Sequence, residues 1–178
     1  MSYHKCNDIK CNDIKYCRTM KRILFTAILL IGWLVSKASD HESRILINAG
    51  FLFPETINAS VGYERDLGYG NNIAVLGEIG NHWQHPTCHM FWKGYYWGGE
   101  ALYKHPIKRF KNSLIRVYGG AAAGAYVKRF YLGAEAGFEY DYVFHNGWHF
   151  TITQKNSVNF FHGDTFKNGL MIGIKIPL

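Results

Sequence analysis

The sequence predicts an all-β fold, an eight-stranded antiparallel up-and-down transmembrane β-barrel. Three observations lead to this prediction: eight segments in which polar and apolar residues alternate, a hairpin with two chemically opposite faces, and an N-terminal segment typical of exported proteins. After that segment, the chain has no long apolar run and no helical periodicity of useful length.

The hairpin at residues 130–150 has the clearest pattern. Between positions 132 and 142, every even residue is apolar or aromatic and every odd residue is glycine or acidic, including Glu135, Glu139 and Asp141. Successive side chains of a strand point to opposite faces, so one face is apolar and the other is acidic. Asn146-Gly147 predicts a type I′ turn, with positive φ at both residues. A soluble sandwich would bury the apolar face, whereas a membrane barrel turns it towards lipid.

Residues 20–38 have the pattern of a secretory signal peptide. Basic residues precede an uncharged apolar run of 13 residues at 23–35, and the small residues Ser36 and Ala38 form a cleavage pattern. The run is too short to cross a bilayer as a helix. Upstream, the pentapeptide CNDIK occurs twice in succession, which is too few units for a solenoid. We therefore expect residues 1–19 to be a non-native or disordered extension before a start at Met20, and residues 39–178 to form the barrel.

Charge and cysteine content change when this leader is removed. Seven of the 20 basic residues and two of the 13 acidic residues lie within residues 1–38, so the net charge falls from +7 to about +2. The positive net charge is therefore mostly a property of the leader, and it is weak evidence for a nucleic-acid partner. Three of the four cysteines also lie there, which leaves Cys88 alone and excludes an internal disulfide.

Eight alternating segments follow the leader. They lie at about 44–53, 56–65, 72–82, 90–103 and 113–126, in the two strands of the hairpin, and at 168–178. Their even number and their length of about ten residues fit a small outer-membrane barrel. A basic turn that contains Pro106 is expected at 104–112. Its cations could contact anionic headgroups or a periplasmic partner, but we expect them to be solvated: Lys104, Lys108, Arg109 and Lys111. Leu76 interrupts the polar face of the third segment.

The polar faces of these segments carry six carboxylates and three cations. Arg or Lys facing lipid would cost about 2–4 kcal/mol at the bilayer midplane, and Asp or Glu somewhat less. We therefore expect these residues to form ion pairs in the lumen: Glu64, Glu78, Glu100, Arg116, Glu135, Glu139, Asp141, Lys155 and Lys175. The apolar faces end in aromatic residues that match interfacial girdles: Trp97, Tyr103, Tyr140, Tyr142 and Trp148.

Residues 130–178 resemble the TraO family of conjugative transposons in Bacteroidetes. The resemblance rests on YLGAEAGFEYDY in the sixth segment, the short turn, TITQKNSVNFFHGD in and after the seventh, and NGLMIGIKI near the end. It implies an outer-membrane component of conjugative DNA transfer without catalytic residues. The last six residues, GIKIPL, are also similar to the terminal insertion signal of outer-membrane proteins, although Leu178 stands where an aromatic residue is usual.

The predicted function is a structural or scaffolding role in the outer membrane during conjugative DNA transfer. The expected partners are outer-membrane lipids and other proteins of the transfer apparatus. Transferred DNA could not pass through a lumen of eight strands, because side chains fill it, and direct binding of nucleic acid is not expected. A general outer-membrane adhesion or stability barrel is an alternative.

A lipid A-modifying hydrolase is a further alternative, because lipid A deacylases are also eight-stranded barrels with a similar terminus. Their pattern places His two residues before a Ser on a late strand, with Glu downstream. Here Lys155 precedes Ser157 and no Glu follows. A Ser hydroxyl without a positioned base is a poor nucleophile, so we expect no enzymatic activity. Glu135 and Glu139, roughly 13 Å apart along one strand, are too distant for a glycosidase pair.

One loop offers metal-ligand chemistry: His82, His85, Cys88 and His89 lie within eight residues. The alternative is a solvated loop that binds nothing. Because no standard zinc spacing is matched, neither a metal nor another cofactor is predicted.

Overall fold

The computed structural model describes residues 42–54, 56–82, 94–126, 129–161 and 165–178. Eight strands form these segments: β1 Ser43–Phe53, β2 Thr56–Gly68, β3 Asn71–His82, β4 Tyr95–Arg109, β5 Ser113–Tyr126, β6 Arg129–Val143, β7 His149–Asn159 and β8 Phe166–Pro177. Each strand pairs antiparallel with its neighbours in sequence, and β1 pairs with β8 to close the barrel. The predicted fold class is confirmed. The predicted signal peptide and N-terminal extension lie outside these segments.

The barrel wall has its polarity inverted relative to a soluble protein. Along β6, alternate residues from Tyr131 to Asp141 are buried, while the residues between them, such as Phe138, are exposed. The same alternation runs through β2, where Asn58 and Glu64 point inward and Val61 points outward. Charged and amide side chains therefore fill the interior, and the outer surface is apolar.

The connections β2–β3, β4–β5 and β6–β7 lie at the same end of the barrel as the chain's C-terminus, and we call it the turn end. The opposite end, with the β3–β4 and β7–β8 connections, is the loop end. Among the described residues, no helix is both long enough and apolar enough to span a membrane.

Strand β4 corrects the prediction of a basic turn at 104–112. The strand continues to Arg109, and the connection to β5 is only three residues long. Pro106 is accommodated because the register with β5 shifts between Pro106 and Lys108, which marks a bulge or local irregularity in the ladder. Proline has no N–H to give to a ladder, and it is tolerated at such irregularities. Lys104 thus lies inside the barrel rather than in solvent.

The β6–β7 turn also differs from its prediction. Gly147 has φ 81°, but Asn146 does not have positive φ, so the turn is not type I′. The N–H of Gly147 donates to the carbonyl of Phe144 (3.1 Å), and the N–H of Phe144 donates to the carbonyl of Trp148 (2.8 Å). The Asn146 side chain accepts from the N–H of Trp148 (3.1 Å). Gly147 thus takes the left-handed conformation, for which glycine is the favoured residue.

Candidate functional site

The lumen near the turn end holds six interacting ionic side chains, which we call the turn-end cluster: Glu64, Lys104, Arg116, Glu139, Asp141 and Lys175. The Nζ atom of Lys175 lies 2.9 Å from Glu64 Oε1, 2.7 Å from Glu139 Oε1 and 3.1 Å from Asp141 Oδ2. Lys104 Nζ lies 2.6 Å from Glu64 Oε2 and 2.5 Å from Glu139 Oε2. Three cations thus face three carboxylates, and the guanidinium of Arg44, which pairs with Glu42, lies 3.9 Å from Glu64 Oε1. This balance is what buried charges require, because an unpaired one is costly.

Arg116 and two polar neighbours complete the turn-end cluster. The guanidinium of Arg116 binds Asp141 and lies 3.2 Å from Glu139 Oε1. His149 Nδ1 lies 2.7 Å from Asp141 Oδ1, and Asn72 donates to Glu64 Oε1 (2.6 Å). These additional hydrogen bonds occupy carboxylate lone pairs that the cations leave open.

A second group, the loop-end cluster, contains Glu78, Glu100, Glu135 and Lys155. Lys155 Nζ binds Glu100 and lies 3.0 Å from Glu78 Oε2 and 3.1 Å from Glu135 Oε1. Tyr131 donates to Glu78 Oε1 (2.7 Å), and Asn58 donates to Glu78 Oε2 (2.9 Å). One ammonium therefore contacts three carboxylates. Unlike the turn-end cluster, this group has more carboxylates than cations.

The loop-end carboxylates are close enough together to hold a cation. One oxygen from each of Glu78, Glu100 and Glu135 lies within 4.8 Å of the others. However, Lys155 contacts all three, so its ammonium already takes the position that an ion would need. The arrangement fits an ion-paired lumen better than a metal centre.

An apolar layer lies in the lumen and adjoins both clusters. Leu46, Ala74, Leu76, Leu102 and Tyr118 form a buried hydrophobic group. Leu76, the residue that interrupts a polar face in sequence, belongs to this layer. A cavity of about 20 Å³ lies beside it, with Glu100 and Lys104 in its lining. It has room for about one water molecule, so the interior is packed and does not form a channel at this level.

Glycines make room for two tyrosines that cross the lumen near the loop-end cluster. A Cβ atom at Gly80 would lie 2.2 Å from Cε1 of Tyr96, and one at Gly98 would lie 2.2 Å from the Tyr131 hydroxyl. The two rings pack edge to face, with centroids 6.2 Å apart. These glycines therefore allow phenols to reach the centre of a narrow barrel.

The structure places all nine predicted lumen residues inside the barrel and divides them between the two clusters. Sequence reasoning missed Lys104, His149, Asn58, Tyr96 and Tyr131. Lys104 and His149 each carry a usable signal, because Lys104 shares strand parity with Glu100 and His149 shares it with Lys155. For the tyrosines the signal was weaker, since an aromatic residue fits either face of a barrel wall.

Most of the loop residues considered for metal binding lie outside the residues that the structure describes. These are His85, Cys88 and His89, and only the backbone of His82, at the end of β3, is described. Ser157, considered above as a nucleophile, points into the lumen, where it is buried opposite Glu135 in the ladder.

Comparisons with known proteins support the fold alone. No protein-family model matches the chain, and no curated protein sequence matches it. A major outer membrane protein from Thermus thermophilus has a similar structure, with a TM-score of 0.53 and 9% sequence identity over 79% of this chain and 100% of that one. A designed transmembrane β-barrel aligns with a TM-score of 0.45 and 11% identity, over 77% of this chain and 95% of that one. The chain has the fold of a small transmembrane β-barrel.

Proposed function

We propose that the protein is a closed outer-membrane barrel with a structural or scaffolding role, without pore or enzyme activity. The observation that carries this proposal is the inverted polarity of the wall. Large apolar side chains lie open on the outside, such as Phe51 (69% exposed) and Ile79 (64%), while Lys175 inside is 0% exposed. In water this arrangement would expose far more contiguous apolar surface than soluble monomers do, whereas in a bilayer it is stable. The export pattern at residues 20–38 supports the same location.

The packed lumen supports a role that does not involve transport. Ion clusters and an apolar layer occupy the cross-section, and the cavity beside that layer holds about one water. An ion that passed through this packed interior would have to lose most of its water, which costs several kcal/mol. A lipid A hydrolase would need a nucleophile that lipid can reach, whereas Ser157 is buried in the lumen beside Lys155. A scaffold needs neither a pore nor a nucleophile.

The location and the closed lumen can be tested in one preparation. The full chain, expressed in a Gram-negative host, is expected to float with the outer-membrane fraction and to change gel mobility on boiling. In planar bilayers the purified protein is expected to give no steady conductance steps. Recovery of an unshifted soluble protein would contradict the membrane location, and reproducible conductance would contradict the closed lumen.

Conjugative DNA transfer is the process that we propose for this scaffold, on the strength of the resemblance of residues 130–178 to the TraO family. Deletion of the gene in a transposon-bearing donor is expected to lower transfer frequency. Restoring the full chain should restore it, and other transfer proteins should co-purify. Unchanged transfer together with greater detergent sensitivity would favour a general stability barrel, and an altered lipid A mass would favour the hydrolase.

A further inference from the structure

The outward face of β7 and β8 carries three amides, which we call the amide patch: Gln154, Asn156 and Asn168. These residues point away from the lumen, because their neighbours Lys155 and Lys167 point into it. Gln154 lies halfway along β7, so the patch reaches the middle of the wall rather than its rim. Polar groups there would lie in hydrocarbon, where each unsatisfied donor or acceptor is costly.

Within the patch, Asn156 is saturated and its two neighbours are not. Asn156 donates to Gln154 Oε1 (3.1 Å) and to the carbonyl of Ala136 (3.2 Å), and its Oδ1 accepts from Gln154 (2.9 Å) and from Asn168. Gln154 and Asn168 each use one N–H of two. The Oδ1 atom of Asn168 accepts no hydrogen bond from any described residue. Donors and an acceptor therefore remain open towards the outside.

Small residues make the wall beside the patch flat. Asn156 pairs in the ladder with Ala136, and Ala136 pairs with Gly119. The next outward positions along the two strands, Ala134 and Ala121, also pair with each other. We call these four residues the small-residue floor. Such residues let a neighbouring backbone approach closely within a membrane.

We propose that the amide patch and the small-residue floor form an intramembrane interface with a second copy of this chain. The proposal rests on the membrane location proposed above. Copies inserted in the same direction are related by a two-fold axis along the membrane normal, so equivalent side chains meet at the same depth. A primary amide with an open N–H and an open oxygen is self-complementary, because two of them exchange reciprocal N–H···O=C bonds. Acyl chains offer no such partner.

Dimerisation can be measured on the full chain reconstituted in phosphatidylcholine vesicles, by energy transfer between labelled copies over a range of protein-to-lipid ratios. The wild-type chain is expected to dimerise. In the double variant Gln154→Leu, Asn168→Leu we expect the dissociation constant to rise roughly tenfold or more, which corresponds to about 1.4 kcal/mol, because the interchain amide hydrogen bonds are lost. The heat-dependent gel shift should persist, because the ladder is untouched.

A matched pair of variants tests the floor separately. Ala136→Leu places a bulky side chain on β6 within the floor, whereas Ala59→Leu makes the same change on β2, at the opposite side of the barrel. We expect only Ala136→Leu to weaken the dimer. A wild-type chain that stays monomeric while floating and shifting normally would overturn the interface alone, as would patch variants that dimerise like wild type. Loss of flotation and gel shift in the wild type would instead overturn the membrane location.

Discussion

Replacing Lys175 with methionine tests whether the turn-end cluster stabilises the barrel through charge. The Lys175 ammonium is fully buried and contacts carboxylates on β2 and β6, with all three distances between 2.7 and 3.1 Å. Methionine retains most of the side-chain volume but leaves three carboxylates facing Lys104 and Arg116, with Arg44 more distant at 3.9 Å from Glu64 Oε1. Breaking a buried ion pair by removing one partner costs about 3–5 kcal/mol, so a loss of that size is expected in the free energy of unfolding.

A second substitution separates the contribution of charge to this loss of stability from the contribution of packing. In Lys175→Met, Glu139→Gln the charges balance again, since Glu64 keeps Lys104 and Asp141 keeps Arg116. We expect the double variant to be more stable than Lys175→Met alone by about 1–3 kcal/mol, the range of coupling between contacting residues. Lys111→Met, at an exposed position in the β4–β5 connection, is the control and should change stability by no more than about 0.5 kcal/mol.

The assay is urea unfolding of the protein in phosphatidylcholine vesicles, followed by tryptophan fluorescence and by gel mobility of unboiled samples. A loss below about 1 kcal/mol for Lys175→Met would refute the reasoning, because that is what an exposed ion pair contributes. A double variant whose loss equals the sum of the two single losses would refute it as well, since the partners would then be uncoupled.

Two further contrasts use the same unfolding measurement. Gly137→Ala should lower the free energy of unfolding by about 1–3 kcal/mol through overpacking, because its Cβ would lie 1.9 Å from the carbonyl oxygen of Gln154. Gly99→Ala is the control: its Cβ has its nearest contact at 3.7 Å, so stability should not fall. Equal effects of the two substitutions would contradict the steric argument. Glu100→Gln should leave stability unchanged or raise it, because the one Lys155 ammonium contacts three carboxylates. Glu64→Gln, in the balanced turn-end cluster, should lower the free energy of unfolding by about 1–3 kcal/mol. A larger loss for Glu100→Gln than for Glu64→Gln would show that the charge balance has been misjudged.

Strand parity explains why so much of the fold could be predicted. A strand residue has only two directions, and charges are costly on the lipid side, so alternation assigns Glu135 and Glu139 inward and Phe138 outward without further information. The predicted bounds of β5, 113–126, agree with the strand in the structure. The predictions about the leader, the absence of catalysis and the partners remain predictions.

The errors arose where two local rules compete. The basic residues around Pro106 predicted a turn, but an irregular register with β5 allows β4 to continue past this proline, which has no ladder donor. Reading a turn there then placed Lys104 in solvent. The Asn146-Gly147 pair was read as a two-residue turn, whereas the longer connection gives positive φ to Gly147 alone. In both places the backbone conformation depends on pairing between strands, which the sequence of a single segment does not show.

The choice of partner across the lumen could not be predicted at all. Lys155 on β7 reaches Glu78 on β3, four strands away, and Lys104 on β4 reaches Glu139 across β5. Parity places each of these residues inside, but their heights depend on the stagger of all eight ladders together. The division into one balanced cluster and one with excess carboxylate is therefore a property of the closed barrel.

These contacts across the lumen also constrain the cross-section of the barrel, which the ladders alone do not. Backbone hydrogen bonds join only neighbouring strands, and closing the eight strands with a different stagger would change the cross-section. The bonds from Lys155 to Glu78 and from Tyr131 to Glu78 join opposite walls, so they form only at one cross-section. Replacing Glu78, Glu100, Glu135 and Lys155 together by leucine or methionine should therefore leave the free energy of unfolding unchanged or raise it, as with other buried ion clusters, but should broaden the gel mobility and the fluorescence spectrum into several species. A single sharp species from that variant would show that the ladders alone specify the stagger and the cross-section of the barrel.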